Sequence, residues 1–152
     1  MTVPSEFGVP EHELEDIVIP NDLASARRSE ERIMRELARN HFSSDDTFAI
    51  KLALEEALTN AVKHGNGNDV SKSIVIRYAI SPVRAVIMVR DEGCGFCLHH
   101  IPDPTADENL ERPSGRGIML MHAYMTRVRF NETGNEVWLL KENRDYRPSA
   151  AG

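Results

Sequence analysis

Two spacings of apolar residues divide the chain. From residue 22 to 65 they recur at helical intervals, and from 73 onward they mostly crowd into short β-branched runs. Leu23, Ala26, Ile33 and Leu37 mark the core face of a helix that Asn21 or Asp22 caps and that runs to about Asn40. "SSDD" (43–46) caps a second helix, with Leu54, Ala57, Leu58, Ala61 and Val62 as its apolar stripe. It stops at Gly65, a residue type suited to a left-handed C-terminal position. "ELEDIVIP" (13–20) reads as a short strand ended by Pro20, and "SIVIRYAI" (73–80) with "RAVIMVRD" (84–91) as an antiparallel hairpin about Ser81-Pro82-Val83. A long stretch with little periodicity, 92–114, has the length of a binding loop or lid. "GRGIMLMHAYM" (115–125) reads as a glycine-rich turn and a helix, in which Met119, Met121 and His122 pack. "TRVRFNET" and "NEVWLLKE" form a last hairpin about Gly134-Asn135, with Trp138 in the core.

Two consecutive hairpins rule out a doubly wound parallel sheet. The order predicts a two-layer α/β (α+β) sandwich, a mixed, mostly antiparallel sheet with helices on one face. At 152 residues one domain is expected: a loose arm over 1–12, punctuated by Pro4, Gly8 and Pro10, a domain over 13–145, and a mobile tail over 146–152.

Composition narrows the function classes. The net charge of −6 argues against nucleic acid as a direct partner. No run reaches the ~20 apolar residues that span a bilayer. The N-terminus lacks a basic segment followed by an apolar one, so a cytoplasmic protein is expected. Cys94 and Cys97, followed by His99 and His100, could be read as a metal or redox site. There is no second cysteine pair, and that reading is set aside.

Three features carry chemistry. In "LALEEALTNAVKHGNGN" (52–68), Glu56 and Asn60 stand one turn apart on one helix face. Asn is a poor interior helix residue, so an amide beside the apolar stripe asks for a reason. "VRDEGCGF" leaves Asp91 at a strand end beside Gly93 and Gly95, which permit close backbone approach to a ligand. "SGRGIML" puts Gly115, Arg116 and Gly117 ahead of a helix, where free N–H groups and the helix dipole suit phosphate.

Taken together and in this order, the three resemble the GHKL ATPase superfamily of gyrase, chaperone, histidine-kinase and mismatch-repair ATPases. "EEALTNAVKHG" resembles its N-box, and "DEGCGF" and "SGRGIML" its two glycine boxes. Over residues 20–141 the chain looks most like the anti-sigma-factor serine kinases of bacteria. The resemblance implies the Bergerat ATP-binding fold, with ATP and Mg²⁺ as cofactors. It makes Asn60 the Mg²⁺ ligand and Glu56 the general base toward a substrate serine. Glu55, ~100° around the helix, is the poorer match for that base. Asp91 would accept from the adenine amino group, Gly93 and Gly95 would let the base approach, and Gly115, Arg116 and Gly117 would hold phosphates.

The partners implied are a sigma factor and a small antagonist protein, with the chain as a homodimer. The alternative is a non-catalytic ATP-binding module that switches partner affinity. Relatives carry a Thr near the last strands, whereas here the Thr is displaced to Thr133, with Asn135 and Glu136 near its place. His41 and His64 are not in a dimerisation-helix setting, which argues against a sensor histidine kinase. Arg28, Arg32, Arg35 and Arg39 form a basic stripe on the first helix, read either as a solvated face or as a docking surface for an acidic partner.

Overall fold

The computed structural model describes residues 2–93, 119 and 121–147. Strand β1 (Glu15–Pro20) leads into helices α1 (Leu23–Arg39) and α2 (Ser44–Thr59), and α2 continues without a break into a π-helical turn, Asn60–Gly65. The hairpin β2 (Ser73–Ile80) and β3 (Arg84–Arg90) follows, then the hairpin β4 (Arg127–Phe130) and β5 (Glu136–Glu142). Both long helices begin at side-chain caps. The Asp22 carboxylate accepts from the Ser25 N–H at 2.6 Å, and the Ser43 hydroxyl accepts from the Asp46 N–H at 3.1 Å. Each satisfies a donor the helix itself leaves open.

The sheet order is β1-β2-β3-β5-β4, with every neighbouring pair antiparallel. The expected mixed sheet is therefore an antiparallel one. β4 runs in the same direction as β3, but β5 returns between them, and no parallel pair forms among the described residues. Side chains alternate across the strands. Ile74, Ile76, Ala85, Ile87, Val89, Val137 and Leu139 meet Ile33, Leu37, Ile50, Leu54 and Leu58 of the helices in the main core. Leu23, expected on the α1 core face, is 47% exposed, one turn too early to reach the sheet. Met121 and Met125 are buried, whereas Met119 and His122 are exposed, so the last helix buries one side only.

The opposite face of the sheet is apolar as well, and the N-terminal segment covers it. Val3 and Phe7 pack on Val86, Met88, Trp138 and Leu140. Phe7 is fully buried, and its ring stands edge-on to Trp138 with centroids 6.4 Å apart. Arg84 donates to the Phe7 carbonyl at 3.1 Å, and Arg129 pairs with Glu6. The segment expected to be a loose arm is thus part of the packing. Its prolines and glycine read as a linker, but two 3₁₀ turns, Ser5–Phe7 and Glu11–Glu13, set its apolar residues onto a face that otherwise leaves Trp138 in water.

On α1, the arginine stripe is exposed but not bare. Arg32 lies 3.6 Å from Glu15 and over the Tyr78 ring, Arg39 pairs with Glu36 at 2.7 Å, and Arg28 donates to the Ser25 hydroxyl. Arg28, Arg32 and Arg35 flank a shallow groove against Ile17 and Ile19 of β1. No helix among the described residues is long and apolar enough to cross a membrane.

Phe7→Ala removes a fully buried ring and is expected to cost about 3–5 kcal/mol. A urea titration reads this as a lower midpoint, and an unshifted midpoint would mean that the segment does not dock. A second expectation concerns Glu30, which is 7% exposed between α1 and α2. Burial first, then the neighbouring Glu55 carboxyl, pushes its pKa up to about 7, against the weaker pull of Lys51 and Arg27. A raised acid pKa favours the fold below the ordinary carboxylate range, and that contribution is lost as pH rises through about 7. Glu30→Gln should therefore stabilise by roughly 1–3 kcal/mol at pH 8 and by little at pH 4.5. Melting curves at the two pH values decide it, and equal shifts would contradict it.

Candidate functional site

The site begins where α2 changes winding. Its regular turns end at Thr59, and the next six residues widen into the π turn. The Asn66 N–H bonds the Ala61 carbonyl at 2.8 Å across five residues. Single π turns inside helices recur at functional positions because the wider turn re-aims side chains. Asn60 is the first residue of this one. Glu56, one α-turn earlier, is half-buried, whereas Glu55 is exposed. The periodicity predicted both faces of this helix but gave no sign of the π turn, since Ala61, Val62 and Lys63 fit either winding.

Gly65 ends the π turn, but not as the left-handed cap expected of it. The left-handed residues are the following Gly67 (φ 58°) and Asn68 (φ 59°). Gly65 is needed for space. A Cβ there would stand 2.1 Å from Asp91 Oδ2, and a Cβ on Gly93 would stand 1.9 Å from the Gly65 carbonyl oxygen. Two glycines thus let the end of the α2 extension touch the end of β3. Their proximity was not readable from sequence, because 28 positions separate them and no local rule pairs them.

Asp91 stands at this junction, half-buried. Its Oδ1 accepts from the Gly93 N–H at 2.8 Å. Burial pushes its pKa up, with the Gly93 N–H and the charges of Lys72 and Arg90 pulling the other way. Burial likewise raises the Glu56 pKa, opposed by His64 and by a hydrogen bond from Asn60. Both carboxyl groups are therefore stronger bases than free ones.

Above the junction opens a cleft of about 490 Å³, part of it open to solvent. One wall is helical, with Ala57, Asn60, Ala61, His64 and Gly65; the floor is Val89, Asp91 and Val137; the far side is Met121, Phe130, Gly134 and Asn135. Glu56 is not among the lining residues; it stands one turn from Asn60. Of the residues singled out in sequence, Glu56, Asn60, Asp91 and Gly93 are thus gathered around one cleft. Gly95, Gly115, Arg116, Gly117, Cys94 and Cys97 lie outside the described residues. His64 and Asn135 line the cleft without having been expected to. In the sequence Asn135 stands out only by its place near the displaced Thr, and the hairpin register that brings it beside Asp91 includes Gly134 in a left-handed turn (φ 78°).

Comparison with known proteins bears on this arrangement. The model of the histidine kinase-like ATPase domain matches residues 19–141. A serine-protein kinase RsbW from Bacillus licheniformis is 33% identical over 96 residues, 58% of this chain and 59% of the relative. The RsbW of Bacillus subtilis is 31% identical over 113 residues, 68% and 69% of the two chains. An anti-sigma F factor of Geobacillus thermodenitrificans is 36% identical over 87 residues, 55% and 59%. The chain spans about three fifths to two thirds of the length of these relatives. The crystal structure of the RsbU and RsbW domains of Rv1364c from Mycobacterium tuberculosis superposes with a TM-score of 0.55 at 22% identity, over 93% of this chain and 34% of that one, a likeness of fold. The helix-borne Glu and Asn, the strand-end Asp with its glycine, and the matched span together show that this chain belongs to the histidine kinase-like ATPase domain family.

Proposed function

We propose that this protein is an ATP-dependent serine protein kinase of the anti-sigma-factor type, which binds a sigma factor and phosphorylates a small antagonist protein. The observation that carries this reading is a half-buried carboxyl of raised basicity, Glu56, one turn from the Asn60 amide that lines the same cleft as Asp91. A module that only bound nucleotide would need Asn60 and Asp91 but no base. Relatives named serine-protein kinase and anti-sigma factor support the same reading. By family resemblance it works in the cytoplasm as a homodimer, with no direct contact to nucleic acid.

The residues fit ATP and Mg²⁺. At the junction Gly65 and Gly93 leave no room for a Cβ, which sets Asp91 at the cleft floor, and Asn60 and Asp91 both line the cleft with side chains that carry oxygen, the ligand a hard cation prefers. Asn60 holds Mg²⁺ through its amide oxygen, and the bound cation supplies neutralisation of phosphate charge. Asp91 accepts from the adenine amino group, and Gly93 with Gly95 leaves room for the base. Gly115, Arg116 and Gly117 hold the phosphates. Glu56 takes the proton from the substrate serine hydroxyl as that oxygen attacks, and its raised pKa makes it the stronger acceptor. The basic stripe flanking the β1 groove suits an acidic partner.

Calorimetry on three proteins tests the assignment. Wild type should bind ATP with Mg²⁺ dependence, Asn60→Ala should lose that dependence, and Glu56→Gln should still bind ATP. In a transfer assay with the antagonist, Glu56→Gln should be slower by about 10²–10⁴. The wild-type rate should rise with pH through a value above that of a free glutamate, because the base works only when ionised. Transfer by Glu56→Gln within threefold of wild type would remove the base from the proposal. Gly65→Ala must displace the Asp91 carboxylate, so ATP affinity should fall by at least about tenfold while the melt stays cooperative. Wild-type affinity in that variant would show that the junction does not shape the cleft.

A further inference from the structure

The turn that follows β3 has no backbone N–H left over for a ligand, because its own chain uses all three. The Asp91 N–H goes to the Asn135 carbonyl at 2.9 Å, the Glu92 N–H to Asn66 Oδ1 at 2.8 Å, and the Gly93 N–H to Asp91 Oδ1 at 2.8 Å. The carbonyls of Asp91 and Gly93 both accept from Asn135 Nδ2, at 3.4 and 3.3 Å. Two asparagine side chains, from opposite sides, therefore account for three of the turn's backbone bonds.

Each asparagine is itself fixed. Asn66 is 1% exposed, and its amide group donates to Asn21 Oδ1 and to the Ser73 carbonyl, both at 3.0 Å. With its oxygen accepting from the Glu92 N–H, both amide hydrogens and one lone pair of the oxygen are engaged. Asn21 in turn donates to the Asp69 carbonyl at 3.1 Å. On the other side, Asn131 Nδ2 donates to Asn135 Oδ1 at 2.7 Å, and Asn131 Oδ1 accepts from the Gly134 N–H at 2.7 Å. The oxygen of Asn135 is thereby held toward Asn131 and its amino group toward the turn. A buried polar network that is fully satisfied rigidifies what it holds.

We infer that Asn66 and Asn135 are positioning residues that clamp the Asp91–Gly93 turn from its two sides and so set which nucleobase the cleft accepts. The inference rests on the nucleotide reading above. With the three N–H groups committed, Asp91 is the residue of the turn that lines the cleft, and its carboxylate is fenced by Gly65. A fixed acceptor suits a base that offers an amino group and rejects one that offers a carbonyl at the same place, since two acceptors then face each other without a proton. Discrimination of this kind needs the acceptor to stay still. A turn freed on one side lets the carboxylate swing to meet either base.

The test is binding of ATP and of GTP, each with Mg²⁺, to wild type, Asn135→Ala, Asn135→Asp and Asn66→Ala, with a thermal melt of each. Wild type should prefer ATP by at least about tenfold. In Asn135→Ala that preference should shrink to within about threefold, through weaker ATP binding with GTP little changed. Asn135→Asp should behave alike, since it keeps the shape but loses the donor. An undiminished preference in folded Asn135→Ala would overturn the inference, as would an equal loss of both nucleotides, the mark of a merely structural role. If Asn66→Ala does not fold, the two Asn135 variants decide. Should wild type bind neither nucleotide at millimolar concentration, the nucleotide reading itself falls and the clamp falls with it.

Discussion

Closest approach between the end of one helix and the end of one strand governs this molecule's cleft. Gly65 and Gly93 meet with no room for a Cβ on either, and Asp91 is held in the same contact. Any side chain at Gly65 would drive the helix off the strand or the carboxylate out of place. The cleft sits where the main core stops, bounded by the last turn of the α2 extension and by the loop between β4 and β5. Interiors pack densely and relax little, so a gap kept at such a place needs rigid borders. The glycines supply closeness, and the amides of Asn66 and Asn135 supply fixity.

The fold was largely legible because its elements are strongly patterned. The α2 stripe from Leu54 to Val62, the caps at Asp22 and Ser43, and the β-branched runs of β2 and β3 are local signals, and each corresponds to an observed element. What the pattern could not carry was long-range. Phe7 finds Trp138 across 131 positions of sequence, and only the finished sheet has a second face to cover. Leu23 obeys helical spacing yet points past the sheet's reach. At a helix end a glycine's commonest role is the left-handed cap, whereas the role of Gly65 is set by Asp91. Of the site, the residue types with unusual placement, Asn60 and Asp91, stood out. Those that complete the cleft, His64 and Asn135, are ordinary until the chain is folded.

Burial acts on charge in three places with different ends. Glu30 is tucked between two helices, and its raised pKa makes the ionised form a cost to stability. Glu56 and Asp91 are raised by the same desolvation, but Asp91 lines the cleft and Glu56 stands one helical turn from Asn60 in its wall, where a carboxyl of raised basicity suits a base or an acceptor. Asp46 is more deeply buried, with Lys141 at 3.8 Å and Arg144 at 3.3 Å, and Lys141 also donates to the Tyr124 carbonyl at 2.7 Å. That cluster ties the start of α2 to the last strand and to the end of the final helix. It fixes the far end of the helix whose near end borders the cleft.

The π turn also sets a rule of length. Compared with α-helical winding it takes up extra chain before the helix ends, and each residue turns a helix by ~100°. Gly65 and Asn66 face the strand end only with that extra length in place. Removing one residue between Asn60 and Gly65 would let the segment close into an ordinary helix and carry both residues round, away from Asp91 and Glu92. Along this segment a change of side chain alters one contact, while a change of length alters the phase of the whole helix end. The spacing from Asn60 to Asn66 is therefore a ruler, and it measures the distance between helix and strand in numbers of residues.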